Sequence, residues 1–262
     1  MAERNKVFPR NRAESSESRI LLIDVSNSFT KFATLRGSKI GRVTRIPTRE
    51  LKPSDVSRLC ADRAIIASVV PEVSRMIAAS LTCPPVWVDH RVPGGVPINY
   101  PKPSTIGADR LANAAAAVSL GKLPAVVVDF GTAVTFDVID SKGCYRGGVI
   151  APGLPTAASA LHEQTALLPL TKVTSIRSYV GKSTAEAIRI GLLLGAVGLV
   201  RETVTRISAE AFKGRNPQVI ATGGDADLVA RLSIKGGGKP VIDMVDPLLT
   251  LKGLAVISSK NS

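Results

Sequence analysis

Ile20-Leu21-Leu22-Ile23-Asp24-Val25-Ser26-Asn27-Ser28-Phe29-Thr30-Lys31 decides the fold, because its pattern returns at Val126-Val127-Val128-Asp129-Phe130-Gly131-Thr132-Ala133-Val134-Thr135. Aligned, Asp24 falls on Asp129, Ser26 on Gly131, Asn27 on Thr132 and Thr30 on Thr135. Each copy is a buried strand that ends in a carboxylate and a tight turn of small, hydroxylated residues. Such a turn offers backbone N–H groups and hydroxyls to phosphate oxygens, and the carboxylate can hold a cation or its water shell. Two of them face to face would grip a triphosphate from both sides, which points to a phosphotransferase.

Working outward, each copy opens a similar run of elements. Strands are expected at Ile20–Val25, Phe29–Leu35 and Lys39–Ile46 as an antiparallel meander. A helix over 53–60, a strand over 64–68, a helix over 71–80 that starts on Pro71, and a short strand over 86–88 follow. The second half repeats this with strands over 125–130, 133–139 and 145–150, and helices over 157–164 and 183–208. A strand over 218–222, a helix after Gly224, a strand over 240–243 and a helix from Pro247 close the chain. Three antiparallel strands followed by alternating helices and strands, done twice, describe an α/β fold of two ribonuclease-H-like domains. Each has a mixed sheet and flanking helices, and the ligand lies in the cleft between them. The expected boundaries are a polar, disordered extension over 1–18, a first domain over 19–121, and a second over 122–262. A helix over 106–120 links the domains.

Composition narrows the class. The 262 residues are 45% hydrophobic and 21% charged, ample for a core. Every apolar run is too short or too broken by glycine for a membrane span, and residues 1–18 lack the apolar stretch of a secretory signal. The net charge is +13, and residues before Ile20 supply little of it, with five basic against three acidic side chains. A positive body steers anionic substrates, nucleotides among them. Nucleic acid is the competing partner, disfavoured by 4% aromatic content and the absence of any run of four Lys or Arg. Cys60, Cys83 and Cys144 have no zinc or disulfide spacing; each reads as a small buried side chain in a reducing cytoplasm.

Further stretches could carry chemistry. In Tyr100-Pro-Lys-Pro-Ser-Thr-Ile-Gly107-Ala108-Asp109-Arg110 the prolines force an extended approach to a helix, so Gly107 and Asp109 sit at a helix N-terminus. Asp109 there either supports the dipole or accepts the proton of an attacking hydroxyl. Arg110 either meets a surface acid or holds a substrate carboxylate with its planar fork. Gly147-Gly148 and Pro152-Gly153 allow close backbone approach or simply end a hairpin, and Gly223-Gly224-Asp225 can pass under a nucleotide. Gly181-Lys182-Ser183-Thr184 ends like a phosphate loop, but residue 176 is Ile where that motif needs Gly. Thr184 reads instead as a helix-start hydroxyl lining the cleft. His90 and His162 have no ligand-like spacing, and no Gly-x-Ser-x-Gly is present.

Taken in order, these motifs resemble the type III pantothenate kinases of the acetate-kinase/Hsp70/actin superfamily, from Ile20 to the C-terminus. The resemblance rests on Asp24-x-x-Asn27-Ser28 with Lys31, Tyr100 with Gly107-x-Asp109-Arg110, Asp129-x-Gly131-Thr132-Ala133-x-Thr135, Gly147-Gly148-x-Ile150-x-Pro152-Gly153, Ser183-Thr184, and Asp246-Pro247-x-Leu249-Thr250-Leu251-x-Gly253-Leu254. It implies ATP-dependent phosphorylation of pantothenate on its primary hydroxyl, the first step toward coenzyme A, in the cytoplasm. On this resemblance Asp24, Val25, Ser26, Asn27, Ser28, Phe29, Thr30, Lys31 and Thr132 bind ATP. Tyr100, Gly107, Ala108, Asp109, Arg110 and Thr184 contact pantothenate, with Asp109 as proton acceptor. Asp129 holds a monovalent cation, potassium or ammonium; magnesium accompanies ATP, and the chain forms a homodimer. The family's first turn carries Gly where this chain has Ser26. A left-handed Ser26 would be strained by about 1–3 kcal/mol. That prospect raises the alternative of a catalytically impaired paralogue that binds or regulates. The helix N-terminus is expected to hold the Asp109 carboxyl below its usual range.

Overall fold

A computed structural model describes residues 18–234 and 240–261. The expected extension over 1–18 lies outside the described residues apart from Ser18. The first half holds β1 (Arg19–Val25), β2 (Phe29–Arg36), β3 (Lys39–Ile40), β4 (Thr44–Pro47), α1 (Pro53–Ser57), β5 (Arg63–Ser68), α2 (Pro71–Ser80) and β6 (Pro85–Trp87). Then come α3 (Ala108–Ser119), β7 (Ala125–Phe130), β8 (Ala133–Ile139), β9 (Tyr145–Pro152), α4 (Leu154–Glu163), α5 (Thr184–Ala211), β10 (Gln218–Gly223), α6 (Ala226–Ile234), β11 (Met244–Val245) and α7 (Leu249–Ser259).

The two sheets share one plan. In the first, β1 pairs antiparallel with β2 and parallel with β5, which pairs parallel with β6. In the second, β7 pairs antiparallel with β8 and parallel with β10, which pairs parallel with β11. The outer antiparallel place is filled by β9 in one sheet, and in the other by β3 and β4, both on β2. The expected single strand over 39–46 is therefore broken: Gly41 turns its N–H onto the Thr34 carbonyl at 2.8 Å and the pairing restarts at Thr44. The expected strand over 240–243 forms instead at Met244–Val245, where the chain pairs with Ile220 and Ala221. The first helix stops at Ser57, short of Cys60, and Cys60 is exposed rather than buried.

Strand periodicity sorts the two faces of each sheet. Ile20 and Leu22 of β1, with Ala125 and Val127 of β7, belong to one central core, filled by α3 and α7. Leu21, Ile23 and Val25 turn outward to α1 and α2, and Val126, Val128 and Phe130 turn outward to α5 and α6. The same alternation continues by one more step. Asp24 and Asp129 therefore fall on the central faces, at the ends of the two strands that open the sheets.

The helix α3 is rich in alanine because it must fit between the sheets and against α7. Ala112, Ala114 and Ala117 are fully buried. At the crossing, a Cβ on Gly253 of α7 would run into the Ala112 backbone, its Cα at 3.0 Å included. The last helix thus packs on β1 and β5 of the first sheet as well as on α3. No helix of the described residues is long and apolar enough to cross a membrane.

Because backbone rather than a flexible side chain blocks that position, Gly253→Ala is expected to lower the unfolding free energy by about 2 kcal/mol or more, the scale of core overpacking. A urea titration that leaves the midpoint unchanged would contradict this packing.

Candidate active site

The first turn is held from within and from below. Asp24 is buried, with Lys31 Nζ 3.3 Å from its Oδ2, and Ser26 Oγ donates to its Oδ1 at 3.2 Å. Asp24 and Lys31 meet because they are cross-strand partners in the β1–β2 register. Below the turn, the buried Thr48 hydroxyl donates to the Ser26 carbonyl at 2.7 Å and lies 3.1 Å from Thr30 Oγ1. The second turn is braced in the same way by the N-terminus of α4. Gly153 N–H and Thr156 Oγ1 both donate to the Thr132 carbonyl, at 2.9 and 2.6 Å. The tips of the turns face each other: Ser28 Oγ and Thr132 Oγ1 are 3.0 Å apart across the cleft. Asn27, Ser28, Gly131 and Thr132 are exposed there, whereas the Val25 side chain is in the core and the Phe29 ring lies under the Arg45 guanidinium.

Between the turns, α3 presents its first residues. Gly107 precedes it, where a Cβ would stand 2.5 Å from Asp109 Oδ1, so only glycine lets that carboxylate fold back. Asp109 Oδ1 accepts the Arg110 N–H at 2.8 Å. One helical turn on, Asn113 donates to Asp129 Oδ2 at 3.2 Å and accepts from Thr250 Oγ1 at 2.9 Å, which fixes the direction of its amide. Three carboxylates thus share one cleft. Burial pushes Asp129 up to about 6, with Asp109 and Asp24 adding repulsion and Asn113 and Lys31 opposing it. Burial also raises Asp109, with repulsion from Asp24, against the Arg110 N–H and guanidinium.

The expected depression of Asp109 is therefore wrong in sign. Its position at a helix N-terminus is as read, but loss of water outweighs what one backbone N–H and the helix end return.

Arg110 meets a buried acid rather than a surface one. Its Nε donates to Asp137 Oδ1 at 2.7 Å and its Nη2 reaches the Phe136 carbonyl at 3.4 Å. The Tyr145 hydroxyl donates to the same Asp137 oxygen at 2.9 Å, and Tyr100 packs edge-on against Tyr145, ring centroids 6.3 Å apart. Burial pushes Asp137 up to about 7 despite Arg110 and Tyr145. Gly147 and Gly148 on β9 make room for Tyr100 and Arg110. A Cβ on Gly148 would sit 2.7 Å from Arg110 Nη2, and one on Gly147, whose φ is +115°, 3.4 Å from the Tyr100 ring.

A sequence profile described as type III pantothenate kinase matches residues 20–206. The chain belongs to that family. It is 42% identical to a type III pantothenate kinase from Akkermansia muciniphila over 246 residues, covering 92% of this chain and 98% of the relative. Among solved structures, a Baf-family protein from Campylobacter jejuni superposes with a TM-score of 0.62 at 18% identity, covering 92% of this chain and 98% of that one. A Listeria monocytogenes protein assigned as an N-acetylmannosamine kinase superposes at 0.55 and 9% identity, covering 93% and 100%. These likenesses bear on fold alone. The fold is the duplicated α/β fold of the actin-like kinases.

The kinase's departure at Ser26 carries no strain. Among the described non-glycine residues only Lys213 has a positive φ. Its counterpart Gly131 likewise lacks a positive φ, and a Cβ there would make only an ordinary contact, 3.5 Å from the Ala133 carbonyl. The argument from Ser26 for an impaired paralogue falls away with the strain. Thr184 is the exposed first residue of α5, behind Ser183, whose Oγ caps the helix by accepting from Glu186 N at 3.3 Å. Among the described residues no hydrogen bond joins Thr184 to Asp109 or Arg110. Thr48, Asn113, Asp137 and Thr156 were not foreseen, Tyr145 was read only as the start of a strand, and Thr250 only as part of the Asp246–Leu254 motif, with no role given to it. Asn113 and Asp137 had a signal, each a polar residue inside a run that packs as core; Thr48 and Thr156 had none.

Ser26→Gly is expected to leave kcat within about twofold. It should lower stability by about 0.5–1 kcal/mol, from a freer unfolded chain and the lost bond to Asp24. A variant that is faster and more stable would show that Ser26 is strained after all.

Proposed function

We propose that this kinase transfers the γ-phosphoryl group of ATP to the primary hydroxyl of pantothenate in the cleft between the two turns. The observation that carries the reading is the 3.0 Å approach of Ser28 to Thr132, which turns two separate strand ends into one phosphate grip with Asp109 beside it. Asp24–Lys31 and Thr132 hold the phosphates with magnesium. Tyr100, Gly107, Ala108 and Arg110 hold pantothenate, Arg110 by its carboxylate. Thr184 would join them only with its exposed face turned to substrate. The nucleoside fits a cavity of about 390 Å³ beside Gly224, walled by Ile176, Leu193, Leu228 and Leu232 with Asp227 and Arg231.

Asp109 Oδ1 is occupied by the Arg110 N–H, so Oδ2 is the oxygen that accepts the proton of the attacking hydroxyl. Its raised proton affinity makes it a better base than a solvated aspartate, and a loose transition state asks little of it before the P–O bond to ADP has lengthened. Asp129 suits a monovalent cation. It is an oxygen donor, and the burial and repulsion that favour its proton would favour a positive ion in the same place. A bound ion would supply positive charge to the phosphate oxygens; Asn113 holds the Asp129 carboxylate that would bind it.

A homodimer is supported by α5. Ala187, Gly191, Leu194, Gly195 and Gly198 are all exposed, and a Cβ on any of these glycines would meet nothing within 4 Å. Ile150, Tyr179 and Val180 are further exposed apolar side chains. A reducing cytoplasm fits the three free cysteines. The boundary near Gly121 follows the repeat of the two sheets.

Asp109→Asn is expected to lower kcat by about 10²-fold or more while moving the pantothenate KM by less than about threefold. Steady-state kinetics decide it; equal losses in both would make Asp109 a binding group. Turnover should require potassium, and potassium should raise the melting temperature of the wild type but not of Asp129→Asn. Sedimentation velocity should report a dimer, and a monomer at micromolar concentration would remove the α5 interface.

A further inference from the structure

Asp137 stands where the strand offers room for an apolar side chain. It lies on the central face of β8 and is 0% exposed, and its Oδ2 has no hydrogen-bond partner among the described residues. A buried carboxylate with an idle oxygen is costly, and a single ion pair at this depth seldom returns its desolvation. What the pair does for Arg110 is more telling. Nε and Nη2 are the donors of the side edge of the guanidinium. Asp137 Oδ1 and the Phe136 carbonyl take that edge, and Tyr145 ties the same Oδ1 from behind. The end edge, Nη1 with the outward N–H of Nη2, has no protein partner among the described residues. Gly148 completes the arrangement, since a side chain there would press on Nη2 and strike the Phe136 carbonyl.

We propose that Asp137, backed by Tyr145, is a positioning residue that sets the carboxylate specificity of the cleft, clamping the side edge of Arg110 so that only its end edge meets the substrate. The inference rests on the reading of Arg110 as the anchor for the pantothenate carboxylate. An end edge held still offers two parallel N–H donors, which match the two oxygens of a carboxylate and mismatch a neutral amide, with its one oxygen and its NH₂. An unclamped Arg110 has another carboxylate within electrostatic reach in Asp109 and loses both its aim and its preference.

The test compares pantothenate with its neutral primary amide as substrates for the full chain. Circular dichroism confirms that each variant folds. Asp137→Ala should raise the pantothenate KM about tenfold or more, as loss of a charge-assisted contact implies, with the ATP KM within about twofold. It should cut the acid-over-amide preference in kcat/KM by a similar factor. Asp137→Asn keeps an oxygen for Nε and should restore most of that preference, and Tyr145→Phe should lose part of it. A folded Asp137→Ala that turns over both substrates equally less well, with the preference intact, overturns the clamp. Should Asp137→Ala not fold, Tyr145→Phe decides, and an unchanged preference there overturns it likewise. Arg110→Met separates the two ideas. If it abolishes the preference while Asp137→Ala does not, only the clamp is lost; if it leaves the preference intact, the anchor reading fails and the clamp with it.

Discussion

The cleft depends on how closely α3 and α7 pass each other between the two sheets. A Cβ on Gly253 would strike the Ala112 backbone, so α3 and α7 pass at backbone contact between the sheets whose turns meet at Ser28 and Thr132. The same helix pair carries residues of the proposed site. Asp109 and Asn113 are on α3, one turn apart and so on one face, and Thr250 on α7 steers Asn113 toward Asp129. Packing and the proposed site therefore share residues, and close packing leaves the carboxylates little freedom to drift.

Electrostatics in this site follow from that packing. Asp24, Asp109 and Asp129 would not crowd together in water. Here strand alternation and helix placement bring them into one partly buried volume, and burial raises the proton affinities of Asp109 and Asp129. The strain of that arrangement fits a site that works with positive partners, since a cation and the substrate proton relieve it. Arg110 is handled differently. Its charge is met by Asp137 behind the cleft, so the side chain is fixed before any ligand arrives.

Much of this was legible in the sequence. The repeat of an apolar strand, an acid and a small hydroxylated turn fixed the duplication, and strand periodicity carries Asp24 and Asp129 to facing surfaces. Gly107 and Asp109 were legible as a helix start because prolines precede them. The sequence could not show that Ser26 takes an ordinary backbone conformation, because a family's preference for glycine does not say whether φ or space demands it. Nor could it set the proton affinity of Asp109, which turns on burial by residues distant in the chain. The pairing of Arg110 with Asp137 spans 27 positions, and Thr250 reaches Asn113 across 137. Such contacts exist only once the sheets are assembled. The short pairing strand at Met244–Val245 was misplaced because partner geometry, not local propensity, selects two residues from an irregular stretch.

The central claim is that the two facing turns and Asp109 form one phosphoryl-transfer site acting on pantothenate. Its most direct test is to follow ADP and phosphorylated pantothenate together, with the full chain supplied with ATP, magnesium, potassium and pantothenate. Formation of both products in equal amounts, with no ADP when pantothenate is left out, is the predicted result. ADP released without phosphorylated pantothenate, or no turnover while both substrates bind, would contradict it.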